Sequence, residues 1–213
     1  MYSVDVSSKS TKQRLLEAAA GAFALQGYEA ARVADICDCA GANVAGINYH
    51  FGSKEALLRE VIRHAFELAE AGYPIRGMLS SDASPEERLR AFMTAMIRRC
   101  FDPGPAGQFD RIMSRLSTNM DGPTDVIISE VTRLQGNLLD EILTQLLGEV
   151  SETHLKQARF NFIALCVFPS IVPRLPAMLF PDAVTQGALD RYIERQIQFA
   201  LAGIRAMRPL SNP

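Results

Sequence analysis

The stretch "AGANVAGINYHFGSKEALL", Ala40 to Leu58, decides how the rest of the chain is read. "AGA" at Ala40–Ala42 is a tight turn, and Asn43 is a good N-cap for a short helix running through His50. Ser53 then caps a second, longer helix, with Glu55 in its first turn where a negative charge suits the helix dipole. Asn48, Tyr49 and His50 lie between apolar Ile47 and Phe51. So little apolar content, held between two caps, describes a helix kept for its outer face.

Upstream, Ser10 with Gln13 three residues on reads as a capping box ahead of Leu15, Leu16, Ala19, Ala22 and Phe23, and Gly27 ends that helix. A short helix follows over Val33–Cys39. Downstream, Leu58, Val61, Ile62, Ala65, Leu68 and Ala69 keep helical spacing. A helix from Ser53 to Ala71 would be about 28 Å long at 1.5 Å per residue. After a loop over Gly72–Ser81, Ser84, Pro85 and Glu87 open a helix that stops at "DPGPAG" after Phe101. Further helices are expected over Gln108–Leu116, Thr124–Leu147, Ser151–Phe168 and Thr185–Met207, with Pro169, Pro173 and Pro176 breaking or kinking the chain between the last two. No strand-like alternation persists, so the fold class is all-α. A helix-turn-helix domain over residues 9–56 precedes a larger helical domain over 57–208.

The 213 residues are 48% hydrophobic and 22% charged, an ordinary soluble composition. No apolar run reaches the roughly 18 residues of a membrane helix, and "MYSVDVSSKSTK" has no signal-peptide core, so a cytoplasmic location is expected. Net charge is −2, and residues 1–64 balance seven basic against seven acidic side chains. Binding to nucleic acid must therefore rest on a few placed donors and not on a broad positive field. Cys37 and Cys39, two apart on a helix, point about 200° away from each other, which suits neither a disulfide nor a shared metal. No metal or cofactor is expected.

Two short helices joined by a glycine-containing turn, behind a longer first helix, make a helix-turn-helix. Ile36, Ala40, Ile47 and Phe51 are spaced to face the first and fourth helices. That leaves Asn43, Val44, Ala45, Gly46, Asn48, Tyr49 and His50 on the outer face or at the ends, presentable to a major groove. Asparagine can pair with adenine through two hydrogen bonds, and Ala45 and Gly46 allow close approach to base edges. Tyr49 and His50 offer donors near the helix end. Lys54 with the free N–H groups of the following helix makes an anion site.

Residues 11–62, containing "RLLEAAAGAFALQGYEAARVADICDCAGANVAGINYHFGSKEALL", resemble the N-terminal domain of TetR-type transcriptional regulators through Gly27, Tyr28, Ile36, Ala40, Gly41, His50, Phe51, Lys54 and Leu57. The form "NVAGINYHFGSK" is similar to the subgroup that reads Asn-Val-Ala-x-Ile-Asn-Tyr-His-Phe-Gly. The resemblance covers about a quarter of the chain. It implies a homodimer docking two such domains into successive major grooves, and a C-terminal domain that binds a small effector and dimerises. Ala31 and Arg32 stand where the family usually has hydroxyl residues to cap the second helix, a loss worth about 1 kcal/mol. Arg32 is a candidate to contact DNA instead. Asn48 replaces a tyrosine frequent in the family, which passes the phosphate contact to Tyr49.

Beyond residue 70 no motif guides the reading. Phe92, Met96 and Cys100, Phe109 and Met113, and Phe162 and Cys166 stand at helical spacing. These soft and aromatic side chains are candidates to line a site for a small, largely hydrophobic effector, although the same stripes are more often plain core. The last helix carries Leu189, Ile193, Ile197, Ala200, Leu201 and Ile204, and with the nearly all-apolar Phe160–Phe168 it offers a dimerisation face. His50, His64 and His154 lack partners at catalytic or metal spacing, and no HExxH, phosphate loop or nucleophile elbow is present, which argues against an enzyme. The sequence-level expectation is a ligand-responsive, DNA-binding regulator, more often a repressor than an activator. The alternative is a helical interaction protein that has lost DNA binding, suggested by the balanced charge and the missing cap.

Overall fold

Local signals account for most helix ends in the computed structural model, which describes residues 9–119, 122–172, 178 and 186–208. Ten helices are seen among the described residues: α1 (Thr11–Gln26), α2 (Val33–Ala40), α3 (Val44–Phe51), α4 (Lys54–Gly72), α5 (Pro85–Phe101), α6 (Gln108–Asn119), α7 (Thr124–Gln135), α8 (Leu138–Leu147), α9 (Glu152–Ile171) and α10 (Gln186–Met207). A single 3₁₀ turn, Pro105–Gly107, precedes α6, and no strand occurs among these residues.

At the start of α5 the Ser84 hydroxyl accepts from the Glu87 N–H while the Glu87 carboxylate accepts from the Ser84 N–H, a complete capping box. Ser10 caps α1 alone, because the Gln13 side chain turns away to the Glu17 carboxylate at 3.3 Å. Gly27 ends α1 at a φ of 88°, and Gly41 ends α2 in the left-handed region.

Two expected boundaries differ. The run from Thr124 to Leu147 is not one helix, because Gly136 takes a φ of 61° and separates α7 from α8. Pro169 does not stop α9, which continues to Ile171. A proline two residues from a helix end removes one hydrogen bond in a turn that is already fraying, so the loss stays local. Thr185, Pro173 and Pro176 lie outside the described residues.

The chain divides into two compact units, one of Met1–Leu68 with Arg111–Leu134 and the other of Ala69–Asp110 with Gln135–Pro213. The first has a core of Leu15, Ala19, Phe23, Ile36, Ile47, Leu57, Leu58 and Ile62, all essentially inaccessible. Its α4 and α7 meet at Glu130, a buried carboxylate that accepts from Arg133 and lies 3.6 Å from the Arg63 guanidinium. The Arg133 hydrogen bond, with the Arg133 and Arg63 charges, holds the Glu130 carboxyl below its ordinary range despite burial. Stability from this group is complete above the carboxylate's unfolded value of about 4.3 and is lost as pH falls through the lowered folded value. In an acid titration followed by circular dichroism, Glu130→Gln should show a shallower loss of stability than the parent below about pH 4. Equal acid slopes would remove Glu130 from the account.

In the second unit α5 packs against α8, α9 and α10 around Leu89, Met93, Ile97, Ile142, Leu143 and Ile193. The fully buried Arg99 donates to the Tyr73 carbonyl at 3.0 Å and to the Glu70 carboxylate, which also accepts from the Ile75 N–H. A cation thus sits where the last carbonyls of α4 gather, the favourable end of the helix dipole for positive charge.

Candidate nucleic-acid interface

Helix α3 has eight residues, too few to be stable alone, so its order comes from its neighbours. Asn43 caps it, its side-chain oxygen accepting from the Ala45 N–H at 2.9 Å. Gly52 closes it at a φ of 84°, donating back to the Asn48 and Ile47 carbonyls. Ile47 is buried between these ends. At about 100° per residue, Val44, Asn48, Ala45 and Tyr49 share one arc of roughly 140°, opposite Ile47. All four are exposed, Tyr49 to 84%.

Phe51 is only half-buried, not the second full anchor its spacing suggests. The Lys12 ammonium lies 5.8 Å from its ring centre, and the His50 ring meets it edge-on. Being the last residue of α3, Phe51 is at the rim of the core, where one face of the ring stays open to the amphipathic Lys12. Gly46 also departs from the outer face: a Cβ built there would lie 3.5 Å from the Leu15 side chain, so the residue turns toward α1. His50 is half-buried, with Tyr49 stacked edge-on at 4.9 Å.

Arg32 is exposed at the N-cap of α2 and makes no capping bond, as the missing hydroxyl implies. Lys54 does not stand free: its ammonium lies 4.4 Å from the centre of the Tyr28 ring and 3.4 Å from the Glu29 carbonyl. It therefore ties the loop before α2 to the start of α4, where the Ser53 hydroxyl accepts from the Ala56 N–H. Tyr28 is packed on its other contacts as well. A Cβ at Gly122, whose φ is 95°, would come within 3.1 Å of the Tyr28 side chain.

Arg14 was not singled out by the sequence reading. Its guanidinium donates to the Ala40 carbonyl at 2.9 Å and the Lys9 carbonyl at 3.0 Å, holding the end of α2 and the approach to α1 together. A signal was present. A positive charge in the first turn of a helix opposes the dipole and needs a partner elsewhere to justify it.

The candidate effector residues are scattered. Phe92, Met96, Phe109, Phe162 and Cys166 are buried. The Cys100 thiol donates to the Cys166 carbonyl at 3.4 Å, and burial pushes both thiols well above their ordinary range, so they stay protonated at neutral pH. Met113 is half-buried and belongs to the first unit. Of the seven, only Phe162 lines the groove of about 630 Å³ between α9 and α10 of the second unit.

Residues 15–61 match the model described as bacterial regulatory proteins of the tetR family. The transcriptional repressor KstR2 of Mycobacterium tuberculosis is 38% identical over 86 residues, which are 40% of this chain and 42% of that protein. Among solved structures, a tetR-family regulator from Shewanella sp. PV-4 is similar over 92% of this chain and 96% of its own, with a TM-score of 0.64 at 19% identity. AibR, solved with isovaleryl coenzyme A and operator DNA, is similar over 76% of this chain and 86% of its own, with a TM-score of 0.58 at 22% identity. These two likenesses establish the fold. The family likeness in sequence therefore lies in the N-terminal segment, where residues 15–61, with the exposed α3 arc, match the tetR-family N-terminal domain.

Proposed function

We propose that the chain is a ligand-responsive, DNA-binding transcriptional regulator, a repressor that acts as a homodimer on a palindromic operator. The observation that carries this reading is the contrast within α3: Ile47 is fixed in the core while Val44, Ala45, Asn48 and Tyr49 project together into solvent. A rigid helix presenting small and hydrogen-bonding side chains fits the docking geometry of a recognition helix. Asn48 is assigned to a base edge and Tyr49 to a phosphate. Arg32, Asn43, Lys54 and His50 flank them at the backbone, with Val44 and Ala45 against base edges and Gly46 allowing close packing. Residues 9–56 would be the DNA-binding domain and 57–208 the effector-binding and dimerisation domain. The recognition helix follows the Asn-Val-Ala-x-Ile-Asn-Tyr-His-Phe-Gly subgroup in this reading, and the regulator works in the cytoplasm without catalysis.

A second copy of the chain supplies the partner. Phe168 on α9 and Phe199 on α10 are exposed in the single chain and line the groove with Ala164, Ala200 and Gly203, and α9 exposes Phe160, to 70%, Ile163 and Ile171 as well. An apolar patch of this kind marks an association surface, and a two-fold operator requires a two-fold protein. The effector is small and largely hydrophobic, and its proposed binding residues are Phe92, Met96, Cys100, Phe109, Phe162 and Cys166 in the second unit and Met113 in the first. It acts only through different affinities for the DNA-binding and released states, with α4 as the lever.

Selection of fragments from the source genome by the purified protein, followed by footprinting and a mobility shift against competitor DNA, tests the reading. A protected palindrome with half-sites about one helical turn apart is expected. Failure to hold any fragment at low salt would instead support the interaction-protein alternative.

A further inference from the structure

A second cavity in the 69–110 and 135–213 unit has a different chemistry from the apolar groove. It encloses about 380 Å³ between the α4–α5 loop, α5 and α8. Its floor is hydrocarbon, from the buried side chains of Ile75, Leu138 and Ile142. Its rim carries two guanidinium groups, Arg76 and Arg88, and two hydroxyls, Ser80 and Ser81.

The charges there are unevenly matched. Arg88 donates to the Gln145 side chain at 2.9 Å and to the Glu141 carboxylate at 3.4 Å. The Ser80 hydroxyl is engaged with the Asp82 carboxylate. Arg76, in contrast, is exposed and has no side-chain partner among the described residues, and neither has Ser81. A planar guanidinium fork matches carboxylate and phosphate oxygens, and Arg88 can turn from the longer Glu141 contact to an incoming anion. The volume falls within the range of small-molecule sites, which typically pair an apolar wall with a few placed polar groups.

We infer that this cavity binds a small amphiphilic anion, its phosphate or carboxylate head between Arg76 and Arg88 and its hydrocarbon tail on Ile75, Leu138 and Ile142. The inference deepens the effector reading by giving the hydrophobic ligand a charged head. It is tested without DNA, so loss of operator binding and loss of this site are separate results.

Isothermal calorimetry on the full chain should detect hexyl phosphate or hexanoate, while hexanol, which keeps the tail and lacks the charge, gives no signal. Heat with hexyl phosphate alone assigns a phosphate head, heat with both assigns a general anion site, and heat with hexanoate alone assigns a carboxylate. Arg76→Ala, a change at an exposed side chain, should weaken binding about tenfold at an unchanged thermal midpoint, the size expected for loss of one charge-assisted hydrogen bond. Glu141→Gln should tighten binding several-fold by releasing Arg88, a gain that a purely structural role for the cluster would not produce. No heat from either anion at millimolar concentration, or affinity unchanged in both variants, overturns the inference. Should Glu141→Gln fail to fold, the Arg76→Ala comparison decides alone.

Discussion

A chain carrying both Asn48→Ala and Tyr49→Ala is expected to fold as the parent does and to lose roughly a thousandfold in affinity for its operator. Both side chains are exposed, and alanine is the better helix former at each position, so α3 loses no packing and gains propensity. The Tyr49 ring leaves only its edge contact with His50. On the DNA side, a good base contact for Asn48 is worth about 1–3 kcal/mol and a hydrogen bond from Tyr49 to a charged phosphate about 1.5–3 kcal/mol. Two side chains in each of two copies, at about 1 kcal/mol each, give about 4 kcal/mol, or about three decades in dissociation constant. Fluorescence anisotropy on the footprinted fragment at fixed salt measures the loss, with thermal unfolding as the control. An affinity equal to the parent's would remove α3 as the reading element. Loss of affinity with a lowered unfolding midpoint would mean that the pair supports the fold instead.

The second large effect concerns assembly. Phe160→Glu with Phe199→Glu should yield a soluble monomer at concentrations where the parent sediments as a dimer. Neither ring is buried in the isolated chain, so folding of a single copy is largely indifferent to the exchange. In a dimer built on these exposed faces the four rings would each bury apolar surface worth about 1.5–3 kcal/mol, and four carboxylates would be buried in their places without partners. Dimerisation should weaken by more than about four decades, at 1.4 kcal/mol per decade. Sedimentation velocity over a concentration series gives the answer. A variant that remains dimeric would place the two-fold axis elsewhere, and the exposed rings of α9 and α10 would need a different occupant. Because a monomer can hold only one half-site, the same variant should also lose cooperative protection of the operator's two arms.

The sequence was most legible where structure is decided within a few residues. The caps at Ser53 and Ser84, the glycines that end α1 and α2, and the apolar spacing of α4 all follow from local chemistry, and the structure shows them. Gly136 was the cost of trusting periodicity: the apolar spacing continues through it, and nothing local distinguishes a glycine tolerated in a helix from one with a positive φ. Pro169 misled in the other direction, since a proline near a helix end removes little. Phe51 and Gly46 were misplaced because a helix of eight residues packs on several neighbours at once, and position on the wheel does not say how far the core extends. Lys54 and Arg14 show a further limit. Their partners, the Tyr28 ring and the Ala40 carbonyl, are 26 residues away in each case, a distance over which periodicity carries no information. The cavity at Arg76 and Arg88 joins a loop to a helix more than fifty residues downstream, and no stripe of residues announces such a meeting.

Tyr28 receives the Lys54 ammonium, and a methyl group on Gly122, at a φ of 95° that already disfavours a side chain, would meet the Tyr28 side chain at 3.1 Å, a few tenths of an ångström too close. A geneticist collecting operator-blind alleles should therefore recover lesions at codon 122, far from the reading head in the linear map. A larger side chain there must shift the tyrosine, and with it the lysine strut between the loop before the second coil and the start of the fourth.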